Sequence, residues 1–127
     1  MIEPWLGADE LELIAEMSEA DLDGLPFGAI RLGPDGSVLS YNATEATSAS
    51  RRREDVIGRN FFSDIAPCTD VQEFAGRFHE GIAKQRLHAS FPYRFDFKMR
   101  PRHVIVTLFY SSQTSSGWVF IRDEPAP

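Results

Sequence analysis

The sequence predicts an α+β domain in which helices cover an antiparallel sheet. Three observations carry this prediction: a hairpin signature between two apolar runs, a strand with strict alternation of polarity, and two more apolar runs near the C-terminal end. Hairpin-type connections between successive strands make the sheet antiparallel. The 127 residues fit one compact domain, which is large enough to bury a core without disulfides.

The N-terminal segment is predicted to form a short amphipathic helix. Asp9 and Glu12 have the spacing of a capping pair, in which each side chain accepts a hydrogen bond from a backbone amide. A turn over residues 21–24 is predicted to end the segment. The apolar residues that share one face of this helix are Leu11, Ile14 and Met17.

The next two elements are strands over residues 27–32 and 38–41. Residues 33–36 in the connection between them, Gly-Pro-Asp-Gly, are a strong hairpin signal. Residues 42–69 then break into short pieces, with Asn60 as a cap for the turn that begins at Phe61. Such an irregular stretch often folds around something.

A long helix followed by three strands completes the predicted domain. Asp70 and Glu73 repeat the capping pattern and open a helix that extends to about Arg86. Phe74, Phe78 and Ile82 form its buried stripe. The first strand after it has one apolar face, made of Phe91, Tyr93, Phe95, Phe97 and Met99. Residues 103–110 and 117–122 supply the last two strands.

Composition and charge exclude several classes of protein. The net charge of −6 gives no broad attraction for nucleic acid or for anionic membranes. The three arginines at 51–53 are predicted to be solvated. A single cysteine cannot form an internal disulfide. The chain shows neither a secretory signal nor an apolar stretch of membrane-spanning length, so a cytoplasmic protein is expected.

The candidate chemistry is weak when each motif is considered alone. The three histidines are scattered, and Ala83 stands where a zincin helix needs its second His, so no metal site is predicted. Cys68 precedes the predicted helix start, where backbone amides favour a thiolate. A thiol-dependent enzyme and a buried structural cysteine both remain open. Tyr41 and Glu45 are four residues apart and would point to one side of a helical turn.

Several motifs, in order along the chain, resemble the photoactive yellow proteins, a family of bacterial blue-light photoreceptors. The resemblance runs in register from about Asp9 to Arg122. The motifs that carry it are DGLPFGAI at 23–30, YNATE at 41–45, VIGRNFF at 56–62, APCTD at 66–70, YRFDFKM at 93–99 and WVF at 118–120.

The resemblance implies a PAS fold with a five-stranded antiparallel sheet. It implies an N-terminal cap over residues 1–25 and a photosensory core over residues 26–127. It further implies p-coumaric acid (4-hydroxycinnamic acid) bound covalently to Cys68 as a thioester. Light would drive trans-to-cis isomerisation, and proton transfer from Glu45 would follow. The signalling state would recover in the dark. A sensor of this kind is not an enzyme.

The resemblance also assigns roles to the residues of the site. Tyr41 and Glu45 would donate O–H hydrogen bonds to a buried phenolate, with Glu45 neutral until it gives up its proton and becomes an unpaired anion. Arg51 would cover the mouth of the pocket. Tyr93 belongs to the same implied site, and Met99 would assist thermal recovery. The walls would be Phe61, Ala66, Pro67, Phe95 and Phe97.

Two positions depart from the family prototype. It has a Thr in place of Ala49, which hydrogen-bonds the tyrosine that matches Tyr41, and a Tyr in place of Phe97. Both changes are expected to affect colour and kinetics more than attachment. The alternative interpretation is a PAS module that binds a different ligand non-covalently, or none, and works through protein contacts. The downstream signalling protein is unknown from the sequence.

Overall fold

The computed structural model describes residues 6–96 and 101–124. The helices are α1 (Ala8–Ala15), α2 (Glu19–Asp23), α3 (Ala43–Ser48) and α4 (Arg77–Lys84). The strands are β1 (Gly28–Leu32), β2 (Val38–Tyr41), β3 (His88–Phe95), β4 (Arg102–Ser111) and β5 (Ser116–Asp123). Short helical turns cover Arg53–Asp55, Phe61–Ile65, Pro67–Thr69 and Gln72–Gly76.

The five strands form one antiparallel sheet in the order β2-β1-β5-β4-β3. The predicted α+β class and the five-stranded antiparallel sheet are therefore confirmed. The first and last strands in sequence, β1 and β5, are neighbours at the centre of the sheet. This pairing brings together the N-terminal and C-terminal strands, which are distant in sequence.

The predicted hairpin between β1 and β2 is confirmed. The amide of Gly36 donates to the carbonyl of Gly33 at 2.9 Å, and the Asp35 carboxylate accepts the amide of Ser37 at 3.0 Å. Gly36 has a φ of +93°, which a residue with a side chain rarely adopts. The local turn chemistry thus fixes this connection without help from the rest of the domain.

The sheet has a buried cluster on each face. On one face, α1 and α2 cover Ala29, Phe109, Trp118 and Phe120. On the other face, the segment 56–82 covers the neighbouring strand residues, among them Ile30, Val119 and Ile121. Because successive strand residues point to opposite faces, β1 and β5 contribute to both clusters. The N-terminal helices therefore lie across the sheet from the larger core.

The start of α1 differs from the sequence prediction. The helix begins at Ala8, and the side chain of Glu10 accepts the backbone amide of Gly7 at 3.1 Å. Glu12 accepts a hydrogen bond from the hydroxyl of Ser111 at 2.8 Å. A tertiary partner on β4 therefore takes the carboxylate that the local pattern assigned to a cap.

Two further predictions of local structure are corrected. Residues 19–23 form α2, not only a turn, because Ser18 caps the first turn and Leu22 is buried against the sheet. The segment after Cys68 does not become helical at Asp70. Val71 precedes a wide helical turn over Gln72–Gly76, and regular α-helix begins only at Arg77. Cys68 itself lies in the short turn Pro67–Thr69.

Candidate functional site

A small cavity lies between α3, the segment 61–66 and the end of β3. Its wall is mostly aromatic and aliphatic, with one carboxyl, one phenol and one guanidinium group. This combination suits a small aromatic ligand that carries a polar end. The lining residues are Tyr41, Glu45, Ala49, Arg51, Phe61, Ile65, Ala66 and Phe95.

Asn42 positions the two polar side chains predicted for the site. It lies between Tyr41, the last residue of β2, and α3, and its carboxamide oxygen caps the helix by accepting the Glu45 amide at 3.1 Å. The same oxygen accepts the amide of Ala29 at 2.9 Å. Its amide nitrogen donates to the carbonyls of Leu22 and Phe27. This buried side chain thus joins α2, β1 and α3.

Glu45 is buried and lies against the backbone of β1. A Cβ placed on Gly28 would meet Oε1 of Glu45 at 2.3 Å, which is far below any normal contact. Glycine at position 28 is therefore what admits the carboxylate. The side chain of Glu45 is directed to the cavity by this contact and by the cap at Asn42.

Arg102, the first residue of β4, forms an ion pair with Glu45. Nη1 donates to Oε2 at 2.8 Å and Nη2 donates to Oε1 at 3.1 Å. The side chain of Glu45 is 4% exposed and that of Arg102 is 12% exposed. The expectation that an ionised Glu45 lacks a partner is thereby corrected. Its counterion comes from a residue 57 positions away, which no local pattern indicates.

Burial dominates the electrostatics of the cavity. It raises the pKa of Tyr41, and the charge of Glu45 adds to this effect, so Tyr41 remains a hydrogen-bond donor. Burial also raises the pKa of Glu45, while the hydrogen bonds and charge of Arg102 oppose that increase. Burial thus favours the neutral form of both Tyr41 and Glu45, the two side chains predicted to donate O–H hydrogen bonds.

The arginines at 51–53 have separate partners and do not form a solvated cluster. Arg51 lines the cavity and donates to the carbonyl of Ile65 at 3.0 Å. Arg52 is exposed and pairs with Glu54. Arg53 donates to Asp23, the last residue of α2, at 2.6 Å. The position predicted for Arg51 at the edge of the pocket agrees with this placement.

Cys68 is partly buried and packs against the larger core, two residues beyond Ala66. The hydroxyl of Tyr93 donates to the carbonyl of Cys68, and the hydroxyl of Thr69 donates to the carbonyl of Ala66 at 2.7 Å. A hydrogen bond from strand β3 and a hydrogen bond within the Pro67–Thr69 turn therefore restrain the backbone around the thiol. Pro67 is exposed.

The other predicted residues divide into two groups. Phe61, Ala66 and Phe95 line the cavity as expected. Phe97 and Met99 lie outside the described residues. Two of the three histidines pack against aromatic rings: His79 contacts Phe62 and Phe78, and His88 contacts Phe109.

Sequence reasoning missed Arg102, Gly28 and the buried role of Asn42. Asn before a helical turn is a capping signal, so a capping role at Asn42 was accessible from the sequence. Gly28 precedes an apolar run and carries no local sign of the carboxylate against it. Arg102 depends on a contact made only in the folded chain.

An aromatic cavity between a five-stranded antiparallel sheet and short helical segments is characteristic of PAS sensor domains, and the PAS fold family matches residues 16–123. Photoactive yellow protein from Rhodothalassium salexigens is 47% identical over 117 residues, which cover 91% of this chain and 94% of the relative. Photoactive yellow protein from Halochromatium salexigens is 46% identical with the same coverage. The chain belongs to the photoactive yellow protein family.

A solved structure agrees with this assignment. The photoactive yellow protein domain of the sensor histidine kinase Ppr from Rhodospirillum centenum superposes with a TM-score of 0.82 at 40% identity. The match covers 87% of this chain and 96% of that chain. Within residues 6–96 and 101–124, every helix is too short or too polar to cross a membrane.

Proposed function

We propose that this protein is a blue-light photoreceptor whose Cys68 carries a p-coumaroyl group as a thioester. The observation that carries the proposal is that Tyr41, Glu45 and Arg51 line one aromatic cavity. Cys68 follows the lining residue Ala66 by two positions in the sequence. The names of the relatives support a photoreceptor role. When bound, this group would supply absorption of visible light and a double bond that isomerises.

The residues of the cavity fit such a group. A buried phenolate needs hydrogen-bond donors, because an unpaired charge in an apolar cavity is costly. Tyr41 and the protonated form of Glu45 would supply two O–H donors, and burial favours the neutral form of each group. Phe61 and Phe95 would flank the ring, and Arg51 would close the edge of the pocket.

The attachment point fits as well. The Tyr93 hydrogen bond and the Thr69 hydrogen bond restrain the backbone around Cys68, which would support a thioester at this position. Pro67, Phe97 and Met99 complete the proposed set of contacts. Ala49 lines the cavity where the family prototype has a threonine, and we expect it to tune the spectrum without affecting attachment.

In the proposed cycle, Glu45 holds a proton at a carboxyl oxygen in the dark and, after illumination, would give it to the phenolate oxygen of the bound group. The resulting change in charge beside β1 would loosen the N-terminal segment, residues 1–25, from the core formed by residues 26–127. The output would be passed to a separate signalling protein. No catalytic step is part of this role.

The mass of the denatured protein tests the proposal. The full chain is supplied with the activated thioester of p-coumarate, denatured and weighed, and Cys68→Ser serves as the matched control. A p-coumaroyl addition to the native chain alone, with visible absorbance that bleaches in blue light, supports the photoreceptor. An unmodified chain overturns the proposal and leaves a PAS module with a non-covalent ligand, or a free-thiol enzyme, as the alternatives.

A further inference from the structure

We propose that Arg102 is the counterion of Glu45, and that it controls how readily Glu45 gives up its proton and how long the illuminated state lasts. The second half of this inference rests on the proposed function. The claim that Arg102 is the counterion of Glu45 concerns the protein without a chromophore. No role was expected for Arg102 from the motifs of the sequence.

The position of Arg102 makes it part of the cavity's border. It pairs with Phe95 in the register of β3 and β4, and its guanidinium lies 5.9 Å from the centre of the Phe95 ring. Phe95 lines the cavity. The guanidinium therefore lies at the edge of the cavity, with its two Nη atoms on Glu45.

Arg102 also contacts a second carboxylate. Its Nε lies 3.6 Å from Oδ1 of Asp123, whose side chain is 79% exposed. The guanidinium thus connects a buried acid to one in solvent. Because the exposed acid is well hydrated, it competes weakly for the guanidinium, whereas the bidentate contact to Glu45 is of the strong, charge-assisted type.

Among the residues that the structure describes, four charged or titratable groups act on Glu45 or share its cavity. Tyr41 shares the cavity and stays protonated. Arg51 lies on the cavity wall, Asp123 disfavours ionisation, and Arg102 favours it. Among these four groups, Arg102 is the one that donates hydrogen bonds to both carboxyl oxygens, at 2.8 and 3.1 Å.

This geometry alters the consequence of ionising Glu45. A buried carboxylate with no partner would be relieved only by rearrangement of the surrounding chain. With Arg102 in contact, the carboxylate is paired where it forms. The ionised form is therefore stabilised, proton release is easier, and proton return is slower than in the same chain without the guanidinium.

The first experiment uses the full chain before any chromophore is supplied. Infrared spectroscopy follows the carboxylic C=O band of Glu45 against pH, with Glu45→Gln used to identify the band. We expect Arg102→Met to raise the midpoint by about one pH unit or more and Arg102→Lys to raise it by less. Arg94→Met, which removes an exposed arginine paired with Asp96, should leave it unchanged.

A merely structural role for Arg102 makes a different prediction. Arg102→Met would then lower the stability and leave the Glu45 midpoint where it is in the native chain, and this outcome would overturn the proposal. If Arg102→Met does not fold, Arg102→Lys decides the question, because it keeps one positive charge and loses the bidentate contact. If Arg102→Lys folds and its Glu45 midpoint equals that of the native chain, the proposal is overturned as well.

The second experiment uses the chain loaded with the chromophore. We expect dark recovery to be about tenfold faster or more in Arg102→Met than in Arg94→Met, because the illuminated state has lost its counterion. Equal recovery rates would overturn the link to the illuminated state. Failure of the chromophore to attach would refute the proposed function alone, since the midpoint experiment still decides whether Arg102 is the counterion.

Discussion

Asp23 and Arg53 form an ion pair with 2.6 Å between Oδ1 and Nη2, and this pair joins the end of α2 to the loop beyond α3. The same oxygen of Asp23 accepts the amide of Ala43, the first residue of α3, at 2.8 Å. The loop that carries Arg53 also carries Arg51, which lines the cavity. One carboxylate therefore connects the N-terminal helices to the edge of the proposed site.

The pair predicts a pH dependence of stability. The hydrogen bond from Arg53 is the largest effect that lowers the pKa of Asp23 below its ordinary 3.8, and the Ala43 amide assists. The folded chain thus binds this proton less readily than the unfolded chain. The stabilisation is complete above the ordinary pKa and is lost as the pH falls through the lowered pKa.

Asp23→Asn tests this dependence. Because both side chains are about one third exposed, we expect a loss of about 1 kcal/mol at pH 7, and a smaller loss at about pH 3, measured by urea unfolding. Asp55→Asn, in a carboxylate that is 62% exposed and 3.9 Å from Arg52, is the control and should cost little. An equal loss for Asp23→Asn at both pH values would contradict the prediction.

Gly28→Ala should displace Glu45. The added methyl group would lie 2.3 Å from Oε1 and 3.1 Å from Cβ of Glu45, so the carboxylate must move. We expect a loss of about 2 kcal/mol in unfolding free energy. Gly24→Ala, where the nearest heavy atom is 3.4 Å away, is the matched control.

A double-mutant cycle identifies the cause of the Gly28→Ala effect. In a Glu45→Ala background the contact with Oε1 is gone and only the 3.1 Å contact with Cβ remains, so Gly28→Ala should cost much less than in the native chain. An undiminished cost in that background would show that the loss comes from the strand and not from Glu45.

Asn42→Ala should be among the most destabilising single changes in the domain. It removes the cap of α3 and leaves the amide of Ala29 and the carbonyls of Leu22 and Phe27 without their side-chain partner. We expect a loss of about 3 kcal/mol, measured by thermal or urea unfolding. Thr44→Ala, which removes one hydrogen bond to Leu25, should cost about 1 kcal/mol; similar losses for the two variants would count against a special role for Asn42.

Tyr93→Phe tests whether β3 holds the backbone of Cys68. The change keeps the ring, which packs against Phe74, and removes the hydroxyl that donates to the Cys68 carbonyl. In the chromophore-free chain, the thiol should react with a disulfide reagent about fivefold faster, which corresponds to about 1 kcal/mol. Tyr110→Phe on β4 provides the comparison. An unaltered rate would show that this bond does not restrain the turn.

Leu11→Ala tests how the N-terminal helices are held to the sheet. Leu11 is fully buried, whereas Leu13 on the same helix is 67% exposed. Leu11→Ala should weaken the packing by about 3 kcal/mol and speed amide exchange over residues 8–23, while Leu13→Ala should do neither. Exchange that accelerates equally over the whole chain would show that the helices and the sheet unfold together.

Local signals predicted the parts of the fold that form locally. The hairpin at 33–36 follows from its own turn residues, and the buried face of β3 follows from alternation at Phe91, Tyr93 and Phe95. Helix α2 did not follow from the sequence, because a five-residue helix depends on the burial of Leu22. The capping pair at Asp70 was misleading, since the backbone there turns away from helix before Gln72.

The site was predictable only in part. Tyr41, Glu45, Arg51 and Cys68 came from the resemblance to the family, and the structure places the first three on one cavity. Their own spacing could not show this, because Arg51 reaches the cavity through a loop and not through a regular helix. Arg102 was beyond reach for a physical reason: its contact to Glu45 exists only when β4 is aligned with β3 and β5.

Successive residues of β1 face opposite sides of the sheet, so the cavity and the N-terminal helices contact neighbouring residues of the same strand. Gly28 touches Glu45 on one face of the sheet. Ala29, the next residue, is buried beneath α1 and α2 on the other face. The two sides of the domain are thus one peptide unit apart at this point. Strand β1 therefore couples the two sides of the domain directly. A movement of β1 away from Glu45 also moves Ala29, against which α1 and α2 pack.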